Sequence, residues 1–417
     1  MRFMTSPEPV AQSARGGPWL AIVGIGEDGA DGLGAAARAL IEKADIVFGG
    51  KRHLDLAASL VRGEPRPWPS PFDRALDAVL ACRGASVCVL ASGDPFHYGI
   101  GPLLAARVPA SDMVVVPAPS SFSLAAARLG WSLADAVCLS LHGRAVDLLR
   151  PHLQPHARIL ALTSDGEAPG LIARLLTEAG FGRSRLMVLE ALGGPRERIR
   201  SATAEALQVD AIDPLNLLAI EVEMSLGARV IPRTAGLADE LFEHDGQITK
   251  REVRALVLSS LAPRRGERLW DVGAGSGSVA IEWLLADRSL DAIAIEAHRE
   301  RAARIRRNAG QFGTPGLTVV EGSAPLAFSG LPQPDAVFIG GGAGDAGVLD
   351  GALAALRSGG RLVVNAVTLA SEAILLACHA KLGGDLVRLS IERLGPVGRF
   401  TAWRPAIPVL HWRYEKP

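Results

Sequence analysis

The sequence predicts an α/β protein made of two successive units, and three observations lead there. Short apolar runs of strand composition alternate with helical stretches from Leu20 almost to the end. One of them, RLWDVGAGSGSVAIE at residues 268–282, passes from a strand through a glycine turn into a helix. After Glu223 the rhythm lapses in MSLGARVIPRTAGLADELFEHDG, which holds Pro232 and turn glycines, and a junction is expected at about 224–240. At 417 residues the chain is long enough for two or three domains.

Composition narrows the partners. Forty-four basic residues balance 44 acidic ones and there are two tyrosines, so the chain offers no global field for a nucleic-acid backbone. Cys82, Cys88, Cys138 and Cys378 lack the C-x-x-C spacing and the density of a disulfide scaffold, which suits a reducing cytoplasm. The start, MRFMTSPEPVAQSARGG, has no apolar core of signal-peptide type and reads as a disordered lead. No run of about 18 apolar residues exists to suggest a membrane partner. His152 and His156 each follow a proline, which disfavours a helical ligand pair, and no metal site is assigned.

In the first unit the strands are LAIVGIG, DIVFGG, SVCVLASGD, DMVVVPAP, RILALTS, SRLMVLEAL and LNLLAIEVE, with an Ala-rich helix ending near Lys43. Three loops after strands stand out: VGIGEDG at 23–29, ASGDPFHYGIG at 91–101 and PAPSSFSLAAARLG at 117–130. The second exposes backbone groups that can grip an adenosyl moiety, with Gly93, Asp94 and Tyr98 as candidates. In the third, Ser120 and Ser121 stand at a helix start as caps or cofactor donors.

The second unit opens with QITKREVRALVLSSLAP, where Thr249 and Glu252 form a capping-box pattern and Val253, Leu256, Val257 and Leu261 share a face. The glycine turn follows. Gly273, Gly275 and Gly277, with Ser276 among them, let backbone approach a ligand closely. A dinucleotide site would want Gly or Ala at the sixth fingerprint position, where this chain has Ser278. Asp271 at the strand end would repel a pyrophosphate and accept an ammonium or hydroxyl. Glu296 ends the next strand, LDAIAIE, at the spacing of a ribose acceptor, and LTVVEG delivers Gly322 and Ser323 to the same edge. S-Adenosylmethionine, with an ammonium and no phosphate, fits these groups. A long helix closes at Gly383 and Gly384, and LVRLSIERL, FTAWRP and PVLHWRYE read as antiparallel closing strands with tight connections.

On these residues the carboxy-terminal part resembles a class I, Rossmann-like methyltransferase, which implies a closing antiparallel hairpin. The three loops of the first unit, in their order, resemble the class III, tetrapyrrole, methyltransferases over about residues 18–223. That resemblance implies a two-lobed α/β fold with S-adenosylmethionine between the lobes. One departure stands out: where that family has Pro-Gly-Asp at its substrate trough, this chain has Glu27-Asp28-Gly29. The pairing resembles the bifunctional decarboxylating precorrin methyltransferases of cobalamin biosynthesis.

The resemblance implies a tetrapyrrole methylase domain at 18–223, a linker at 224–240 and a class I domain at 241–417, with two S-adenosylmethionine molecules per chain. It implies methylation of two meso carbons of precorrin-6B, with loss of an acetate carboxyl, giving precorrin-8. It also implies a homo-oligomer. A polycarboxylate tetrapyrrole needs cations, and the candidates are Lys51, Arg52, Arg196, Arg198, Arg200, Lys250 and Arg251. Lys250 and Arg251 come first, because they and Thr249 lie where class I enzymes close over the cofactor. In AVFIGGGAG at 336–344, Gly340 and Gly341 leave room for a broad planar substrate where base-directed methyltransferases carry Asn-Pro-Pro-aromatic. No residue is assigned a catalytic role. An RNA or other small-molecule methyltransferase, and a fusion with one non-catalytic domain, stay open as alternatives.

Overall fold

A computed structural model describes residues 17–208 and 210–417, so the amino-terminal lead, apart from Gly17, falls outside the described residues. The described residues divide into two compact units. The first runs through Arg144 and resumes over Pro155–Ala228; the second joins Ala145–Gln154 to Arg229–Pro417.

The first unit holds two five-stranded sheets. Strands β1 (Leu20–Ile25), β2 (Ile46–Gly49), β3 (Glu64–Pro67), β4 (Val87–Ser92) and β5 (Met113–Val116) are all parallel, in the order β3-β2-β4-β1-β5. Interior strand β1, between β4 and β5, is buried at every residue, as the apolar run LAIVGI requires of a strand covered on both faces. The second sheet comprises β6 (Ala136–Ser140), β7 (Arg158–Leu162), β8 (Arg185–Glu190), β9 (Arg198–Thr203) and β10 (Asn216–Glu221), in the order β6-β7-β10-β8-β9. Only β6 and β7 are parallel there. The strands that sequence reasoning missed, β3, β6 and β9, lie at sheet edges. There one flank meets no partner strand, so EPRP and RIRSAT need no apolar run.

In the second unit a seven-stranded sheet has β11 (Arg268–Val272), β12 (Asp291–Glu296), β13 (Thr318–Glu321), β14 (Ala336–Ile339) and β15 (Arg361–Ala366) parallel. Strands β16 (Asp385–Leu389) and β19 (Val409–Glu415) close it antiparallel, giving the order β13-β12-β11-β14-β15-β19-β16. The chain leaves β11 toward β12 on one side and returns to β14 on the other. The carboxyl ends of these two strands therefore flank a topological switch point, where α/β sheets bind ligands. The closing strands are not tightly connected. Between them β17 (Glu392–Val397) and β18 (Phe400–Pro405) form a separate two-stranded ribbon.

Residues 229–240, without period in the sequence, pack into this second unit: Ile231 and Leu237 are buried with Phe242, Val257, Leu261 and Trp283. The capping box at Thr249 does not form. The helix Arg251–Leu261 starts one residue later than a Thr249 cap would set it, with Lys250 as N-cap and no side-chain bond, and the Glu252 carboxylate pairs instead with Arg393.

Candidate cofactor and substrate sites

In the first unit the three conspicuous loops converge. Gly93 donates its N–H to the Ile25 carbonyl at 3.1 Å, and its own carbonyl accepts from Ala118 N at 3.2 Å. A Cβ on Gly24 would stand 1.9 Å from that carbonyl, so only glycine lets the β1 and β4 ends approach this closely. The loops border a cleft of about 460 Å³, within the size range of small-molecule sites. Gly93, Tyr98, Ser120 and Ser121 line it. Ser120 caps the helix Ser121–Leu129, its hydroxyl accepting from Ser123 N at 3.2 Å. Tyr98 sits at φ +63° and donates to the Cys138 carbonyl at 3.1 Å, tying its loop to β6. Asp94 does not line the cleft: its carboxylate accepts from Phe96 N at 2.8 Å and stabilises the turn.

The cations proposed for substrate carboxylates part company. Arg198 and Arg200 both bind Glu190, whose carboxylate is 1% exposed, and this pairing leaves them as structural partners of a buried charge. Lys51 is an exposed partner of Asp55. Arg52 alone among them lines the cleft, beside His53, Ser92 and Glu27. The cleft also holds groups the sequence did not single out. Thr163 donates to the Asn216 side chain at 2.6 Å, and His142 Nδ1 lies 3.1 Å from the Thr163 carbonyl. Their residues are scattered over strand ends, so no local motif marks them.

In the second unit the three glycines all have left-handed φ, and each meets a different neighbour. A Cβ would stand 3.0 Å from Gly341 O at Gly273, 2.9 Å from Gln247 O at Gly275 and 2.7 Å from the Ile305 side chain at Gly277. The turn is thus pressed between the end of β14, the approach to Thr249 and the helix Arg299–Gln311. Glu296, 4% exposed, accepts from Gly275 N at 2.8 Å and His298 N at 2.9 Å, one bond to each oxygen. Each oxygen keeps a lone pair for a ribose hydroxyl.

Two further candidate side chains are buried. Asp271 turns into the protein, 1% exposed, its Oδ2 accepting from Ala280 N at 3.1 Å in the first turn of the helix Ser278–Ala286. Burial, and secondarily the charge of Glu296, push its pKa up to about 7. Its carboxylate serves the helix N-terminus, where the macrodipole favours it, and is closed to solvent. Ser276 is fully buried, and its carbonyl accepts from Asn308 Nδ2 at 2.9 Å. Asn308, absent from the sequence reading, also accepts from Glu243 N at 2.9 Å and donates to Glu243 O at 3.0 Å. It staples the 243–247 segment to the glycine turn. On the edge of the sheet, Ser323, Gly340 and Gly341 are exposed, as is Arg251. Lys250, nearly half exposed, lies 4.0 Å from Asp239.

The groups present fit an adenosyl ligand in both units: backbone that comes close at glycines, a carboxylate with open acceptor positions, and no lysine among the residues lining the first cleft. A class emerges from this, a methyltransferase with two different folds on one chain. Residues 20–208 match the tetrapyrrole (corrin/porphyrin) methylases, and residues 240–416 match the precorrin methyltransferase domain. A Sinorhizobium protein, precorrin-6Y C(5,15)-methyltransferase [decarboxylating], is 57% identical over 416 residues, covering 100% of both chains. A Salmonella typhimurium cobalt-precorrin-6B C(15)-methyltransferase (decarboxylating) is 36% identical over 179 residues, 42% of this chain and 92% of its own. From the same organism, a cobalt-precorrin-7 C(5)-methyltransferase is 32% identical over 191 residues, 46% of this chain and 94% of its own. The chain belongs to the family of precorrin-6Y C(5,15)-methyltransferases (decarboxylating), with S-adenosylmethionine as methyl donor.

Proposed function

We propose that this chain methylates two meso carbons of a precorrin macrocycle and removes carbon dioxide from an acetate arm, with one S-adenosylmethionine site in each unit. The observation that supports the reading is a close glycine turn beside polar groups in each unit, one at Gly93 and Ser120 and one at Gly273–Gly277 and Glu296. The existence of separate C(5) and decarboxylating C(15) relatives, each matched by less than half of this chain, supports two activities.

S-Adenosylmethionine supplies an electrophilic methyl on a sulfonium. The residues need to hold the carbon nucleophile in line with it, which is a matter of position more than of acid–base strength. A reduced tetrapyrrole brings its own nucleophile, since its nitrogens push electron density onto the bridging carbons. The macrocycle can also accept the electron pair left by departing carbon dioxide, so no serine, cysteine or pyridoxal chemistry is required of the protein. In the second unit the exposed Gly340–Gly342 run offers a flat approach, and Lys250 and Arg251 at the start of their helix meet the carboxylate arms. Decarboxylation and one methylation are assigned to this unit, and the other methylation to the first.

The exposed ribbon supports a homo-oligomer: Leu394, Phe400 and Trp403 are each more than 60% exposed on a two-stranded unit that has little stability of its own. No helix among the described residues is long and apolar enough to cross a membrane. With reduced cysteines and balanced charge, this favours a cytoplasmic enzyme that binds no nucleic acid.

The test is mass spectrometry of product after incubation of the full chain with precorrin and S-adenosylmethionine. Two added methyls and one lost carbon dioxide are expected. A product with one methyl and its carboxyl intact would refute the dual reading.

A further inference from the structure

In the amino-terminal cleft Glu27 projects a carboxylate that is 11% exposed. One oxygen pairs with Arg52 and the other lies 3.7 Å from Arg196, which is itself paired with Asp213. The placement is built in. A Cβ on Gly194 would stand 2.6 Å from Glu27 Cβ, so glycine is what admits the Glu27 side chain there. Arg52 is also held from its other side, by Ser92 Oγ at 3.1 Å and His53 Nε2 at 3.0 Å. Two carboxylates thus face two guanidiniums and cancel them. His53 adds no charge, because burial and the neighbouring Arg52 push its pKa down to about 4.

A site that awaits carboxylate arms would be expected to leave its arginine free. Here the guanidinium that lines the cleft already has an anionic partner. We propose that Glu27 is a specificity-determining residue: an internal counter-carboxylate that a correctly placed carboxylate arm of the tetrapyrrole must displace from Arg52. The inference rests on the tetrapyrrole reading of this cleft. Nη1 of Arg52 is taken by Glu27 and Nη2 by Ser92 and His53, so its terminal fork is already engaged and an arm arriving there competes with Glu27. A ligand with no carboxylate at that position gains nothing from the exchange, and a neutral wall draws in no stray polyanion. Affinity is given up for discrimination.

The full-length protein is titrated with coproporphyrin I, a tetracarboxylate, and with its tetramethyl ester, followed by porphyrin fluorescence. Glu27→Gln should bind the free acid about two- to tenfold more tightly, the range of a charge-assisted bond released from competition, and bind the ester as wild type does. Glu27→Asp keeps the charge but reaches less far, and should bind the free acid more tightly than wild type and the ester equally, a reading that holds even if Glu27→Gln folds poorly. Glu27→Gln/Arg52→Gln should bind the acid no more tightly than Arg52→Gln alone. If wild type binds the acid and Glu27→Gln binds it no better, or tightens equally for the ester, Glu27 does not have this role. If wild type binds neither porphyrin, the tetrapyrrole reading of the cleft fails, and the proposal fails with it.

Discussion

Arg254 donates from Nε to Oε1 of Glu282 at 2.6 Å, with both side chains closed to water. The pair organises more than itself. Glu282 also accepts from Gly236 N at 2.7 Å and Leu237 N at 3.0 Å, while Arg254 donates to the Leu237 and Thr249 carbonyls and stacks over Phe242. Residues 236–249 are thereby fixed against the helices Arg251–Leu261 and Ser278–Ala286, the second of which follows the glycine turn at 273–277.

Removing Glu282 should leave the buried guanidinium of Arg254 with Asp239, 3.0 Å from Nη1, as its remaining carboxylate, and leave Gly236 N and Leu237 N without their acceptor. Glu282→Ala is expected to destabilise the second unit by about 3–5 kcal/mol, read as an earlier denaturant transition of that unit. Replacing both groups, as Arg254→Met with Glu282→Leu, should cost less than Glu282→Ala alone. A larger cost for the double variant would show that the bonds to 236–249, more than the pair itself, carry the stability.

Glu296→Ala should weaken S-adenosylmethionine at one calorimetric site by about 1–3 kcal/mol and leave the other unchanged. Glu296→Gln, which keeps one acceptor oxygen, should lose less. Equal weakening at both sites, or a wild type that binds one molecule per chain, would contradict one site per unit.

Asp271 predicts a pH signature. Its folded pKa, pushed up to about 7, lies above the value of about 3.8 in an unfolded chain, so the folded state holds the proton more tightly. Its contribution to stability is therefore full below about pH 4 and is lost as pH rises toward 7. Asp271→Asn keeps an acceptor for Ala280 N and removes the titration. The ligand-free variant should gain stability relative to wild type as pH climbs through that window. A difference that stays constant from pH 4 to pH 8 would refute the assignment.

The ribbon should report assembly. Leu394 and Trp403 are opposed across β17 and β18, and Leu394→Ser with Trp403→Ser should shift sedimentation toward the monomer without unfolding either sheet. An unchanged sedimentation coefficient would remove the ribbon from the interface.

A fragment starting at Arg229 should fold cooperatively, since it carries all of the seven-stranded sheet. It should melt below the same unit in the intact chain, because it lacks Gln154, which donates to the Ile231 carbonyl at 2.8 Å, and Pro151, which packs on Gly313. Equal melting temperatures would show that segment 145–154 adds nothing.

Much of this was legible in the chain itself. Alternating apolar runs determine two α/β units because strand and helix formation is local, and the glycines at 273, 275 and 277 mark a turn because only they tolerate left-handed backbone so close to a neighbour. The position of Glu296 at a strand end was readable for a similar reason, since it closes the apolar run next in order. Tertiary structure alone decided which charges are available. Arg198 and Arg200 read as substrate ligands until β8 and β9 pair and bring Glu190 beside them. Asp271 reads as a strand-end carboxylate, and only the helix that folds back after it places Ala280 N against one of its oxygens. Glu27 meets Arg52 across 25 residues, Arg254 meets Glu282 across 28, and segment 145–154 joins the second unit from within the first half of the chain. Periodicity records which face of an element is buried; it does not record which distant polar group waits on the other side. That is set by strand order and close packing, and the energy of an ion pair depends on both.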